Sequence, residues 1–490
     1  MHVVLRYLMV AAATVGLAAG TASAGAASPQ HVAAKTRTYS TPATAPLATG
    51  LVDQGLFNSG QRSAAFALSR AAGATYARII VSWRYIAPAT LPADFVASDP
   101  ASAGYSWGGL DAVIASAESA GLSPILDIIG TPNWAYAKRP SGLNAGRPKA
   151  SALGDFATAL ATHYSAAHGS PVHVFQVWNE PNLSLDLSPV SASAYRGMVN
   201  AVADAVHAVD PTNLVVAGGL EPVGHKQTKK RHWNSVAPLA FMRSLLCVSK
   251  GKHPHSTCND PVRLDVWSHH PYTHGGPFGH AAVPDDIELG DLPRMRAVLQ
   301  AGARLHHIVS AQPVKFWVTE FGWDTNPPRP NAASLSLAAR WTSESLQQMW
   351  RSGVSLVTWF LLQDYKSPSP FQCGLYFYSK SLNEVRPKPV LTAFRFPFTA
   401  YLKGTTVSVW GRDATSDQED VTIELRHGKR GKWHTVALVS SNEHGIFRAT
   451  MKLKAAKKDW VRAIATGSGT SLAFSLTRPK NPSFIGPWGY

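Results

Sequence analysis

At 490 residues the chain is longer than one ordinary domain and suits a large α/β domain with a smaller companion. A composition of 45% hydrophobic and 16% charged residues, with 15 Trp and 38 Gly, marks a folded chain and excludes extended disorder. The formal net charge of +16 is dispersed: its densest runs, "HKQTKKRH" and "HGKRGK", carry no interleaved aromatics, which argues against a nucleic-acid partner and leaves a solvated basic face or contact with an anionic cell wall or polysaccharide.

The chain opens with a charge at Arg6, an apolar stretch from Tyr7 to Ala19 and the small-residue triplet Ala22, Ser23, Ala24. This reads as a secretory signal peptide over residues 1–24, because the apolar stretch is shorter than the ~20 residues a spanning helix needs. No twin arginine is present and no later segment is long and apolar enough to be transmembrane, so a secreted, extracellular product is expected. Residues 25–48, rich in Ala, Thr, Ser and Pro, read as a low-complexity leader or linker.

From residue 49 to 398 one pattern repeats: an apolar, β-branched run, a turn, then a helical period. The runs are "TGLVDQGLF", "TYARIIVSW", "SPILDIIGT", "VHVFQVWNE", "NLVVAGGLE", "RLDVWSHHP", "VKFWVTEFGW" and "VSLVTWFLLQ". Between the fourth and fifth, Tyr195, Met198, Val199, Val202, Val206 and Val209 form one inward stripe of a helix that Pro211 closes. Strands buried on both faces and alternating with helices make a parallel sheet, and eight such units favour a closed (β/α)8 TIM barrel over an open doubly wound sheet. No Gly-rich dinucleotide fingerprint follows the first strand.

After residue 398 the period falls to two. "TAYLKGTTVSVWGRD", "DVTIELRHG", "KWHTVALVSS", "GIFRATMKL", "DWVRAIATG" and "SLAFSLTRP" are short alternating strands that predict a small antiparallel β-sandwich over residues 399–490. Its Trp410, Trp433 and Trp460 lie in or beside the strand patterns, which favours a structural or wall-contact module over a sugar-binding one. Cys247 and Cys258 bracket a short polar loop and form an expected disulfide, and Cys373 is left as a buried thiol.

In a barrel of this kind the site forms where strands end and βα loops begin, so polar residues at the ends of apolar runs are the informative ones. Glu180 ends the fourth run and Glu320 the seventh, which lie across the barrel mouth from each other although 140 residues separate them in sequence. Two facing carboxylates are what glycoside hydrolysis requires, about 5–5.5 Å apart for retention and about 6.5–9.5 Å for inversion. Pro181 disfavours a helical Glu180, predicting that the chain leaves the strand extended. Asn179 and Glu180, as strand neighbours, serve one site only if the strand end bends or bulges. Glu180 could otherwise cap a helix or pair with a rim arginine. Glu221, ending the fifth run, is a rival carboxylate.

"WNEPN" followed by "TEFGW" resembles the acid/base and nucleophile strands of the clan A retaining glycoside hydrolases that include families 5 and 39, over residues 49–398. The resemblance implies Glu180 as general acid/base, Glu320 as nucleophile and Asn179 as the neighbour of the sugar 2-hydroxyl. It further implies Arg78 as the second-strand arginine that keeps the nucleophile ionised. Tyr272 would be the sixth-strand tyrosine bonded to the nucleophile with His270 beside it, and Trp359 the eighth-strand tryptophan under the sugar. Trp134, Trp178 and Trp323 are further stacking surfaces or core residues. Asp127 and Asn133, on or after the third strand, match no family pattern. His269, His270 and His274 lack a neighbouring Cys, Asp or Glu at ligand spacing, so no metal and no cofactor is expected. The implied activity is a secreted retaining O-glycosidase acting on a polysaccharide or oligosaccharide. Transglycosylation would use the same covalent chemistry, and a non-catalytic carbohydrate- or cell-wall-binding barrel is the competing class.

Overall fold

The computed structural model describes residues 36–41, 45–169, 172–414 and 418–480. Residues 1–24, read as a signal peptide, and most of the segment read as a leader lie outside the described residues. Eight parallel strands close into a barrel: β1 (Ala48–Val52), β2 (Tyr76–Ser82), β3 (Ser123–Ile129), β4 (Val174–Val177), β5 (Leu214–Leu220), β6 (Val266–His269), β7 (Lys315–Phe321) and β8 (Leu356–Phe360). Each pairs with the next in chain order, and β8 returns to β1 with Trp359 opposite Leu51. All eight coincide with the apolar runs, because strands buried between a packed interior and a helical shell need apolar residues on both faces.

The shell helices are α1 (Arg62–Ala71), α2 (Gly108–Ser119), α3 (Ala150–His163), α4 (Ala192–Val209), α5 (Pro238–Leu245), α6 (Leu292–Arg304), α7 (Leu335–Arg351) and α8 (Pro389–Arg395). In α4, Tyr195, Met198, Val199, Val202 and Val206 are buried, as the stripe predicts. Ser191 caps its start by accepting from the Ala194 amide, and its chain leaves the helix at Asp210, just before Pro211. Among the described residues no helix is long and apolar enough to cross a membrane.

The barrel interior is layered. Ile125, Val174, Val216, Val266, Trp317 and Leu356, one from each of β3 to β8, form an apolar cluster separate from the strand–helix shell and make the floor. Two residues further along, the period of two brings Asp127, Gln176, Ser268, Thr319 and Thr358 to the same side, all fully buried. The floor is apolar and the layer above it polar, so polarity rises toward the C-terminal mouth.

Beyond the barrel, β9 (Phe398–Lys403), β10 (Thr406–Arg412) and β13 (Ile446–Lys452) form one antiparallel sheet, and β11 (Asp420–Arg426), β12 (Trp433–Ser440) and β14 (Trp460–Ala465) form another. Val407, Ile423, Val439, Phe447 and Val461 from both sheets share one core. Within the segment read as a leader, Arg37–Ser40 adds a parallel edge strand against β12. The sandwich docks on α7: Arg340 lies 3.9 Å over the Phe474 ring and donates to the Ser475 carbonyl, and the Trp350 and Trp410 rings are 5.7 Å apart.

Cys247 and Cys258 form a disulfide, and Cys373 is buried and unbridged. A bulge at Gly218–Gly219 lets β5 use two residues where β6 uses one, between Ser268 and His269. Gly218 has φ +100°, and a Cβ there would lie 2.3 Å from the Ser268 carbonyl oxygen. Substitution Gly218→Ala is therefore expected to destabilise by at least about 2 kcal/mol, combining left-handed strain with a backbone clash. Gly197→Ala on α4, where the nearest atom is an ordinary 3.9 Å away, should be neutral or stabilising. Equilibrium denaturation of the pair measures the difference.

Candidate active site

Arg78 stands inside the barrel on β2, 1% exposed. Its Nη1 donates to Glu320 Oε2 at 3.0 Å, and its Nη2 donates to Asp127 Oδ2 at 2.7 Å and to Asn179 Oδ1 at 2.8 Å. Burial works against its charge, but Asp127, Glu320 and Glu180 outweigh it and raise its pKa. Asp127, one of the two open third-strand residues, is thus an arginine partner beneath the site. Its carboxyl is pushed up to about 6 by burial, against the pull of Arg78. Asn133 is exposed at the start of a 3-10 turn.

Glu320 reaches this cluster through a local irregularity. Between Val318 and Phe321, β7 spends three residues where β8 spends two, so alternation is broken and the residue after the inward Thr319 also faces the mouth. Its Oε1 accepts from the Tyr272 hydroxyl at 2.8 Å. Burial, followed by the Glu320 charge, raises the Tyr272 pKa well above the ordinary phenol value, so Tyr272 stays a donor.

Glu180 is not extended as Pro181 suggested. Trp178 has φ +70° and Glu180 φ +38°, and two left-handed residues astride Asn179 turn both Asn179 and Glu180 to the mouth. Such conformations cost about 1–3 kcal/mol each. They are held by four bonds. The Trp178 amide donates to the Ile128 carbonyl, the Glu180 amide to the Gly219 carbonyl at 3.1 Å, the Tyr195 hydroxyl to the Val177 carbonyl at 2.6 Å and the Trp178 indole to the Asp186 carbonyl. Asn182, the last residue of the motif, accepts from the Glu221 amide and donates to the Glu221 and Val236 carbonyls, all at 3.0 Å.

The Glu180 carboxyl lies 3.0 Å from His270 Nδ1, and His270 Nε2 lies 3.1 Å from Thr319 Oγ1. His270, expected beside Tyr272 in the site, is fully buried and touches Glu180. Its pKa is lowered to about 3 by burial, so it is neutral and adds no charge that would hold Glu180 ionised. Glu180 itself is raised well above the usual carboxylate range, first by burial and then by Glu320, against Arg78. The other two histidines have separate partners: His269 bonds the Ile287 carbonyl and His274 the Glu288 carboxylate.

Trp359 is fully buried, with its indole donating to the Cys373 carbonyl, so it presents no open face to a sugar. It packs against Phe321 and Phe394 beneath the mouth. Trp178 and Trp323 are buried too, while Trp134 is half-buried, edge-on to Trp83 and bonded to the Pro88 carbonyl. Glu221 is buried, 3.6 Å from His225. Asp186 escaped sequence reasoning: it accepts from Asn179 Nδ2 at 3.5 Å, and burial, then Glu180, raises its pKa well above normal. An isolated Asp in "SLDLSP" carries no signal except closeness to "WNEPN".

A closed parallel barrel whose mouth presents one carboxylate gripped by a cation and a phenol, and a second whose pKa burial raises, defines a barrel glycosidase. The family model for cellulases of glycosyl hydrolase family 5 matches residues 35–363, more than half of the chain. The chain belongs to that family. No match was found among curated proteins. Solved structures include a family 39 enzyme from Xanthomonas axonopodis pv. citri, 17% identical with a TM-score of 0.51, covering 88% of this chain and 98% of that one. A family 39 β-xylosidase from Caulobacter crescentus is 16% identical with a TM-score of 0.51, covering 87% and 99%. At these identities they share the fold.

The raised Glu180 pKa sets a stability prediction. A carboxyl with a raised folded-state pKa binds its proton more tightly when folded. The stability it contributes is full below its unfolded pKa, near 4.5, and is lost as pH rises through the folded value. Glu180→Gln should therefore raise the thermal midpoint at pH 8 but not near pH 4, by roughly 1–2 °C per kcal/mol released. Melting curves across that range test it, and a pH-independent difference would contradict it.

Proposed function

We propose that this glycosidase is a secreted, retaining enzyme that cleaves polysaccharides or their oligosaccharides through a covalent glycosyl intermediate, with Glu320 as nucleophile and Glu180 as acid/base. The observation that carries the reading is the contrast between the two carboxyls. Glu320 receives hydrogen bonds from a guanidinium and a phenol, donors that complement a nucleophilic carboxylate, while Glu180 faces a neutral imidazole and is desolvated, which favours its protonated form.

In the first step an ionised Glu320 oxygen attacks the anomeric carbon as the glycosidic C–O bond breaks and the Glu180 proton passes to the leaving oxygen. Glycosylation removes the Glu320 charge, the second-largest cause holding the Glu180 proton, so Glu180 emerges better suited to act as a base. In the second step water attacks the same carbon, Glu180 takes its proton, and the ester bond to Glu320 breaks. Asn179, fixed between Arg78 and Asp186, offers its amide to the sugar 2-hydroxyl. Trp134 remains a stacking candidate. The N-terminal segment and the Cys247–Cys258 disulfide support an oxidising, extracellular setting.

Incubation with 2-fluoro glycosyl fluorides of gluco, xylo, manno, galacto and arabino configuration, followed by peptide mapping, is expected to place one label on Glu320. Glu180→Ala should slow turnover about 10²–10⁴-fold and be rescued by azide with retained configuration. Glu320→Gly should be inactive until azide restores a product of inverted configuration. A label on Glu221, or inverted product from the unaltered enzyme, would reject the assignment.

A further inference from the structure

Two cavities open at the C-terminal mouth on the side of β1 to β4. One, of about 660 Å³, lies between the loops after β1 and β2 and includes Gln54, Asn58 and Tyr85. The other, of about 170 Å³, lies between the ends of β3 and β4 and includes Tyr136, Trp178 and Asp186. Arg84 and Gly130 line both.

Arg84 is held at its backbone, and its exposed side chain carries a charge that is unpartnered among the described residues. It sits in the one-turn helix Trp83–Ile86, with its amide donating to the Gly130 carbonyl at 3.1 Å. Gly130 has φ +74°, and a Cβ there would lie 3.4 Å from Arg84 Nε, so the side chain lies across the glycine. Its guanidinium makes no hydrogen bond or ion pair with any described residue. Among the residues lining the two cavities it is the one cation, and Asp186 is the one carboxylate. Burial and the neighbouring Glu180 favour the protonated form of Asp186, so it does not compete as a counter-ion. Asp186 is also the link to the centre, since it bonds Asn179 beside Glu180. Tyr85, 79% exposed, stands next to Arg84 as a free aromatic face.

We propose that Arg84 forms an anion subsite that binds the carboxylate of a uronic acid unit in the glycan, with Tyr85 stacking on an adjoining sugar. The proposal rests on the glycosidase reading of the same mouth and adds its substrate class. The planar guanidinium presents paired donors that match a carboxylate, and an aromatic face covers apolar sugar C–H surface.

The test is calorimetric binding of gluco-, galact- and mannuronate oligosaccharides and of the same oligosaccharides with their carboxyls reduced to hydroxymethyl groups. Binding is measured in a Glu180→Gln background that blocks turnover, with Arg84→Gln and, as a charge control, the exposed Lys229→Gln. At least one uronate series should bind about 10–100-fold more tightly than its reduced form, as expected for a charge-assisted bond. Arg84→Gln should erase that preference, and Lys229→Gln should leave it intact. Failure of every uronate to bind, equal binding of both forms, or a preference surviving Arg84→Gln would overturn the subsite. Turnover by the unaltered enzyme is read separately. Hydrolysis without a preference for uronate defeats the subsite and leaves the glycosidase reading standing. Arg84-dependent binding with no hydrolysis of any oligosaccharide defeats the catalytic reading and leaves the subsite.

Discussion

One buried cation sets the chemistry of the mouth. Arg78 contacts Glu320, Asp127 and Asn179, and its charge also acts on Glu180. Three carboxyls therefore share one positive charge in a site where water contributes little screening. They cannot all be ionised at low cost, so protons are retained where contact with the cation is weakest and burial strongest. Glu320 has a direct bond to Arg78 and a second from Tyr272, whereas Glu180 has His270. The proposed division of labour between Glu320 and Glu180 rests on this unequal sharing.

The neutral state of His270 matters for the same reason. A protonated imidazole 3.0 Å from Glu180 would act as a second cation and stabilise the carboxylate that the proposed first step must avoid. Full burial removes that possibility by depressing the imidazole pKa. A buried residue thus shapes the proposed acid through its contact with Glu180.

The barrel was legible in the sequence because its cause is local and repeated. Eight apolar runs and one helix stripe report burial directly, and all eight runs became strands. Glu180 and Glu320 were visible as polar residues at run ends. What stayed hidden depends on three-dimensional closeness or on broken periodicity. Asp186 looks like any loop aspartate until the fold sets it beside Asn179. The burial of Trp359 depends on Phe394 and the Cys373 carbonyl, which arrive from later parts of the chain. The left-handed Glu180 was misread because Pro181 excludes the right-handed helix without choosing between extended and left-handed alternatives.

Those irregularities share a purpose. A regular strand sends alternate residues to the interior, so a barrel with eight regular strands fills its centre with evenly spaced layers, as the floor does. A catalytic ring needs consecutive residues such as Asn179 and Glu180, or Thr319 and Glu320, to face one point. The structure achieves this at the mouth three times: by left-handed turns after β4, by the Gly218–Gly219 bulge on β5 and by the extra residue in β7. The first two are coupled, since Gly219 supplies the carbonyl that holds the Glu180 amide and the Tyr195 hydroxyl joins Val177 to Gly218. Regular pairing below provides the rigidity against which the strained segment above can be held. Polarity and backbone strain therefore rise together toward the end of the barrel where the reaction takes place.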